Sequence, residues 1–194
     1  MKRFTLNCFL LFAVSISAGF LPKLVKTQLT KGISMLLPND FVLMNDDMLA
    51  DKYNYPRRPT AMYTDPSTKI DVGVNITTRY WREEDIPLLK DIYQASIKTN
   101  YTKVEFIQSD LKTINKRQYA CFEFVGTVED QKQSAVFGKK PSLTTYNYLM
   151  YTVVDEQIVV VNFNCPDKLR TQWQATVGKI MSSVKIKHIK LEDR

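Results

Sequence analysis

Residues 144–164 read TTYNYLMYTVVDEQIVVVNFN and decide the fold class of this chain. Two strand-like runs flank Asp155 and Glu156, and a two-residue turn at these positions makes the runs an antiparallel hairpin. The cross-strand pairs in that register are Val153 with Ile158, Tyr151 with Val160, Met150 with Val161, and Tyr148 with Phe163. Both faces of the hairpin are therefore apolar, and a sheet with two apolar faces needs a covering layer on each side. We predict an α+β fold in which helices sandwich an antiparallel β-sheet.

Further strand-like runs lie on both sides of this hairpin. The runs are Gly32–Pro38 with Phe41–Met44 as its hairpin partner, Thr60–Tyr63 paired with Lys69–Thr77, Val104–Ile114, Tyr119–Val128, Thr144–Val154, Gln157–Asn164 and a terminal edge strand Val184–Leu191. In the run 69–77 the apolar residues share one face, whereas Asp71, Gly73 and Asn75 share the other. Because the runs between 104 and 164 follow one another with mostly short links, we expect an antiparallel meander.

Apolar residues at helical spacing predict two helices. The first begins at Asp85 and runs to about Asn100. Its buried face is expected to hold Leu89, Ile92, Tyr93 and Ser96. The second begins after Asp167, and Trp173 anchors an apolar stripe that should make it the best-buried helix. The segment 46–59 has the composition of an irregular excursion, with a helical turn at Asp47–Lys52.

The N-terminus has the pattern of a secretory signal peptide. Lys2 and Arg3 precede an uncharged stretch, residues 4–21, which ends in small residues, so we expect cleavage near residues 17–19. A retained signal anchor is the alternative, because the apolar run approaches the ~20 residues that cross a bilayer. The predicted organisation is a signal peptide over 1–19, a polar lead over 20–31 and a single domain over 32–191. The protein is then periplasmic or secreted, and it meets a membrane only if the signal stays uncleaved.

The composition excludes several classes of function. The chain has 27 Lys and Arg against 20 Asp and Glu among 194 residues, but these cations are dispersed, so we expect no nucleic-acid partner. It has one histidine and six isolated glycines. Such a chain offers no multi-histidine metal site, no GxGxxG turn and no phosphate cradle. We therefore expect no metal and no cofactor. We also expect a monomeric protein.

The residues that could carry catalysis have structural explanations. The predicted strand order separates Cys121 from Cys165 by one intervening strand, which argues against a disulfide. His188, the only imidazole, lies in the lysine-rich edge strand and gives neither thiol a base. Two acidic groups, 46–47 and 83–85, would suit a carboxylate-dependent hydrolase, but the first lies in a loop and the second precedes a helix, where acids are favourable. We expect a non-enzymatic protein, with the hydrolase kept as an alternative.

Residues 53–59 read YNYPRRP and provide the candidate recognition surface. The candidate residues are Tyr53, Tyr55, Arg57 and Arg58, extended by Trp81 and Arg82 at the end of the next hairpin. Phenol rings offer contact area at low entropic cost, and guanidinium groups bind carboxylate or phosphate. The expected partner is an unknown protein or a small anionic ligand. The alternative is a solvated loop whose tyrosines pack back on the sheet.

The order of elements resembles the superfamily of PsbP, Mog1 and DcrB proteins. The similarity rests on the strand Gly32–Pro38, the Asp-Pro hairpin turn, the helix with the meander after it, and a tryptophan helix ending in residues 182–186. It implies an antiparallel sheet between helices and carries over no functional residue. We expect an exported, non-enzymatic binding or accessory protein of this type. The alternative is an interaction module tethered to the envelope by an uncleaved N-terminus.

Overall fold

A computed structural model describes residues 22–53, 58–129, 142–187 and 189, which form ten strands and three α-helices. The strands are β1 Leu24–Thr30, β2 Ile33–Pro38, β3 Val42–Leu43, β4 Ala61–Thr64, β5 Asp71–Tyr80, β6 Lys103–Ile114, β7 Arg117–Glu129, β8 Ser142–Val154, β9 Gln157–Pro166 and β10 Lys185–Ile186. The helices are α1 Asp46–Lys52, α2 Ile86–Asn100 and α3 Arg170–Ser182.

Two antiparallel sheets organise these elements. The large sheet has the order β3-β4-β5-β9-β8-β7-β6, and the small sheet has the order β1-β2-β10. The small sheet and α3 pack on one face of the large sheet, and α2 packs on the other over β6, β7 and β8. The predicted α+β class is confirmed. The first face is covered by a sheet as well as a helix, because one 13-residue helix is too narrow for a seven-stranded sheet.

The central hairpin forms as predicted. In the β8–β9 pair Val153 lies opposite Ile158 and Tyr148 opposite Phe163, which is the register expected from the two-residue turn. Asp155 and Glu156 have φ values of 48° and 62°, as a type I′ turn requires. The meander β6-β7-β8-β9 and the β4–β5 hairpin are also confirmed.

The predicted hairpin between Gly32–Pro38 and Phe41–Met44 is wrong. β2 pairs instead with β1 and β10, and β3 pairs with β4 of the large sheet. β1 lies inside the segment 20–31, which had the composition of a polar lead. It is polar because an edge strand buries one side only, so Leu29 is buried while Lys26 and Gln28 are exposed.

The helices have the predicted positions, but their buried faces differ in detail. α2 buries Ile86, Leu89 and Ile97, whereas Ile92 is 45% exposed on its flank. Trp173 of α3 is only half-buried and lies between the rings of Phe41 and Phe163, with centroid distances of 5.8 Å to each. The fully buried residues of α3 are Thr176, Val177, Ile180 and Met181.

Of the described residues in the predicted C-terminal edge strand 184–191, only Lys185 and Ile186 form a strand, β10, whereas Val184, Lys187 and Ile189 do not. The predicted signal peptide, 1–19, and His188 lie outside the described residues. Of the helices that the structure describes, none is long and apolar enough to span a membrane.

Candidate functional site

Asp71, the first residue of β5, has a buried carboxylate that accepts hydrogen bonds from three other side chains. Its Oδ1 accepts hydrogen bonds from Lys52 Nζ at 2.6 Å and from Thr64 Oγ1 at 2.9 Å. Its Oδ2 accepts a hydrogen bond from the Tyr53 hydroxyl. Asp71 and Thr64 are both 0% exposed. A buried charge needs this many partners, because an unpaired carboxylate in the interior is strongly destabilising.

Hydrogen bonds at the two ends of α1 fix where this helix starts and stops, and so place Lys52 and Tyr53 near this carboxylate. Asn45 caps α1 by accepting a hydrogen bond from Met48 N at 2.9 Å, and Tyr53 N closes the last turn on Leu49 O at 2.8 Å. Lys52 Nζ also donates to the Thr68 carbonyl at 2.6 Å. The end of α1 is thereby held against the turn that leads into β5.

A row of polar side chains crosses the centre of the large sheet from this point. Asp71 on β5 lies directly opposite Asn164 on β9, and Asn164 lies directly opposite Asn147 on β8. Directly opposite residues share a face, and adjacent strands are about 4.8 Å apart. The row therefore runs roughly 10 Å from the buried carboxylate to Asn147.

Two more asparagines lie on the same face. Asn162 precedes Asn164 by two residues on β9, and Asn75 lies on β5 opposite Val160. We call the set Asn75, Asn147, Asn162 and Asn164 the asparagine face. Asn75 is exposed, Asn162 and Asn164 are half-buried, and Asn147 is 5% exposed.

Helix α2 lies beside the asparagine face. Gln94 Oε1 accepts a hydrogen bond from Ser109 Oγ of β6 at 3.1 Å, so this flank of α2 faces β6. The opposite flank therefore lies on the β9 side, and it carries Leu88 and Ile92, which are 54% and 45% exposed. The asparagine face therefore lies between the strands that α2 covers and the end of α1 with Tyr53.

Comparison with known proteins identifies a solved structure that has a similar fold. No protein-family model and no curated protein matches the chain. The solution structure of cyanobacterial PsbP (CyanoP) from Synechocystis sp. PCC 6803 superposes with a TM-score of 0.53 at 14% identity, covering 89% of this chain and 98% of that one. The chain has the PsbP fold. The expected resemblance is confirmed at the level of fold.

Two other solved structures are similar to parts of this PsbP fold. LpqN of Mycobacterium tuberculosis, involved in cell envelope biogenesis, has a TM-score of 0.48 at 12% identity, with 85% of this chain and 91% of that chain covered. The Saccharomyces cerevisiae Ran-binding protein Mog1p has a TM-score of 0.45 at 12% identity, with 87% and 97% covered.

The predicted surface residues fall into two groups on the PsbP fold. Tyr53 reaches Asp71, and Arg58 forms an exposed ion pair with Asp46 at 2.6 Å. Tyr55 and Arg57 lie outside the described residues. Lys52 and Arg58, the described cations of this segment, both face a carboxylate, which weakens the case for an anionic ligand here.

Trp81 and Arg82 do not join this group. They follow β5, whose ten residues span about 30 Å from Asp71, so they lie at the far end of the strand. Trp81 packs on the apolar cluster beneath α2. Arg82 pairs with Glu84 at 3.3 Å and with Asp85 at 3.4 Å.

The groups considered for catalysis form ion pairs or are buried in this PsbP fold. Glu83 pairs with Arg117 at 2.7 Å, so this acidic group is neutralised by arginines. Cys121 and Cys165 are free and buried, β8 lies between their strands, and burial raises the pKa of both thiols to about 12. Within the described ranges no cluster of His, Cys, Asp or Glu side chains is placed to hold a metal ion.

Two shallow hollows lie away from the asparagine face. One, of about 330 Å³, is lined by Phe41, Trp173, Ile70, Asp40, Lys69 and Gln172 among others. The other, of about 320 Å³, is lined by Glu83, Ile86, Lys116, Arg117 and Gln118. No residue of the asparagine face lines either hollow.

Sequence reasoning missed β9 as the centre of the polar side. The signal was present, because Ile158 and Val160 share a face with Asn162 and Asn164, so the same face changes from apolar to polar along one strand. The pairing of this strand with β5 joins distant parts of the chain, and no local pattern shows it.

Proposed function

We propose that this protein is an exported, non-enzymatic binding or accessory protein whose recognition surface comprises the segment 53–58 and the adjoining asparagine face. The observation that carries the proposal is the tie between the Tyr53 hydroxyl and buried Asp71. It holds Tyr53, the first residue of an aromatic and arginine-rich segment, beside the partly exposed polar side chains of the large sheet. Ordered contact groups on a rigid support lower the entropic penalty of binding.

The chemistry of the remaining groups supports binding over catalysis. Glu83, Glu84 and Asp85 each face an arginine, and thiols with strongly raised pKa values are poor nucleophiles at neutral pH. Export is supported by the N-terminal pattern of Lys2 and Arg3 before an uncharged stretch.

The test is co-purification from the native envelope with tagged protein, comparing wild type with Arg57→Ala/Arg58→Ala. We expect recovery of the principal partner to fall about 30-fold, equivalent to ~2 kcal/mol, because guanidinium contacts to a partner are lost. The melting temperature should stay within about 2 °C, since the Arg58–Asp46 pair is exposed.

The matched control is Lys179→Ala/Lys185→Ala, which removes two exposed cations from α3 and β10, away from this surface. It should capture the partner as well as wild type does. Equal capture by both double variants would refute the assigned surface. Substrate turnover that is lost on mutation of Glu83 or Glu84 would instead support the hydrolase, and an intact N-terminus in the membrane fraction would support the tethered module.

A further inference from the structure

The asparagines stand where strand residues are usually apolar. β9 is a central strand with β5 and β8 on its two sides, and Asn is depleted in strands because it competes with the backbone for hydrogen bonds. On this face of β9, Ile158 and Val160 belong to the apolar cluster beneath α2 or pack against it. Asn162 and Asn164 are the next two residues along the strand on the same face. Because α2 packs mainly over β6, β7 and β8, Asn162 and Asn164 of β9 lie to the side of this helix.

The amides of this face retain hydrogen-bonding capacity. The side chains of Asn162 and Asn164 make no hydrogen bond to the part of the chain that the structure describes. Asn147 Nδ2 donates to Thr145 O at 3.1 Å and to Thr145 Oγ1 at 2.9 Å, which leaves its Oδ1 as an acceptor. Each asparagine amide provides two donor hydrogens and one acceptor oxygen, so the face matches groups that both donate and accept.

Among the described residues, the charges beside the asparagine face are paired with one another. The buried Asp71 carboxylate is paired with Lys52, and Asp46 is paired with Arg58. A charged ligand would lose its hydration here without an unpaired opposite charge on the asparagine face, and such desolvation is unfavourable. The balance favours a neutral ligand.

The shape of the face disfavours a peptide. β5, β9 and β8 are internal strands whose backbone groups bond to their neighbours, so no strand can be added at this place. The two described hollows that could accept a side chain lie elsewhere. A ligand must therefore be recognised by amides on an open surface and by contact with the half-buried Tyr53 ring at its edge.

We propose that the asparagine face, together with the Tyr53 ring, binds a neutral saccharide. Sugar hydroxyls donate and accept hydrogen bonds, as the amides of Asn162 and Asn164 require, and the C–H side of a sugar ring packs on a phenol ring. Asp71 acts as a positioning residue because its bond to the Tyr53 hydroxyl fixes that ring. This inference rests on the proposed function and names its class of ligand.

The experiment titrates the exported, isotopically labelled protein with maltohexaose, cellohexaose and chitohexaose and follows side-chain amide signals by NMR. Spectra of Asn162→Ala and Asn164→Ala assign the two signals. We expect at least one hexasaccharide to shift both signals saturably, and Asn162→Ala/Asn164→Ala to weaken its affinity at least tenfold. Asn75→Ala, at an exposed position, gives a second variant whose fold is not at risk and should weaken binding severalfold.

Asn39→Ala is the matched control, because Asn39 is exposed in the turn after β2 and lies outside the face. It should bind as wild type does. Three results overturn the inference: no shift of the two signals by any of the hexasaccharides, undiminished binding by the variants, or an equal shift by acetyl-trialanine amide. If the same asparagine variants still capture the native partner while no saccharide binds, the inference fails and the proposed function stands.

Discussion

Replacing Asp71 with alanine tests whether the carboxylate holds the end of α1 against the sheet. Asp71 is fully buried, and the substitution removes the acceptor of Lys52 Nζ, the Tyr53 hydroxyl and Thr64 Oγ1. Thr64 Oγ1 keeps the Ile70 carbonyl as a partner at 3.1 Å. The loss therefore falls on the bonds from Lys52 and Tyr53.

The size of the effect follows from these two bonds. A hydrogen bond to a charged group contributes about 1.5–3 kcal/mol. The Lys52 side chain is 31% exposed and can turn to water, so its share lies at the low end of that range. We expect Asp71→Ala to lower the free energy of unfolding by about 3–4 kcal/mol, and the melting temperature by about 10 °C for a domain of this size.

Urea denaturation followed by tryptophan fluorescence measures this change. Asp71→Asn keeps one acceptor oxygen and should lose about half as much free energy. Arg58→Ala breaks an ion pair whose side chains are 65% and 70% exposed, so it should cost no more than about 0.5 kcal/mol. An Asp71→Ala protein within 0.5 kcal/mol of wild type, or one no less stable than Arg58→Ala, would refute the assigned role of the buried carboxylate.

Two further predictions concern the core. Denatured, unreduced protein after signal removal should react with two equivalents of a thiol reagent, one for each free cysteine. The native protein should react slowly at pH 8, because burial raises the pKa of Cys121 and Cys165 to about 12. Fast labelling of the native protein would contradict the burial of these thiols. Gly126→Ala should lower the free energy of unfolding by about 1–3 kcal/mol, because an added Cβ would lie 2.5 Å from ring atoms of Tyr101. Adding Tyr101→Ala to this variant should recover part of the lost free energy, and chemical denaturation of the single and double variants measures both changes.

The parts of the fold that were predictable depend on neighbours in the sequence. The β8–β9 register follows from alternation around a two-residue turn, and the bounds of α2 follow from helical spacing. The separation of Cys121 from Cys165 follows from the order of the meander, in which each strand pairs with the next strand along the chain. In each case the prediction uses only one element or elements that follow one another in the sequence, so local patterns are sufficient.

The parts that were missed depend on distant segments. β2 lies between β1 and β10, and the latter is about 150 residues away along the chain, so a hairpin with its immediate successor was the wrong inference. The separation of Trp81 from Tyr53 likewise depends on the length of β5. Tyr53 bonds to Asp71 at the start of this strand, whereas Trp81 follows its last residue.

The candidate site also combines features that the sequence predicts with features that depend on distant segments. Sequence alternation alone places Asp71 and Asn75 on the polar side of β5, because side chains of a strand alternate. Long-range pairing of β5 with β9 brings Asn164 opposite Asp71, and the position of α2 over β6 to β8 leaves this part of the face without that helix as cover. Asn164 and Asp71 lie opposite each other because burial of the apolar side of both strands sets their register, and a shift of one residue would turn each polar side chain into the core.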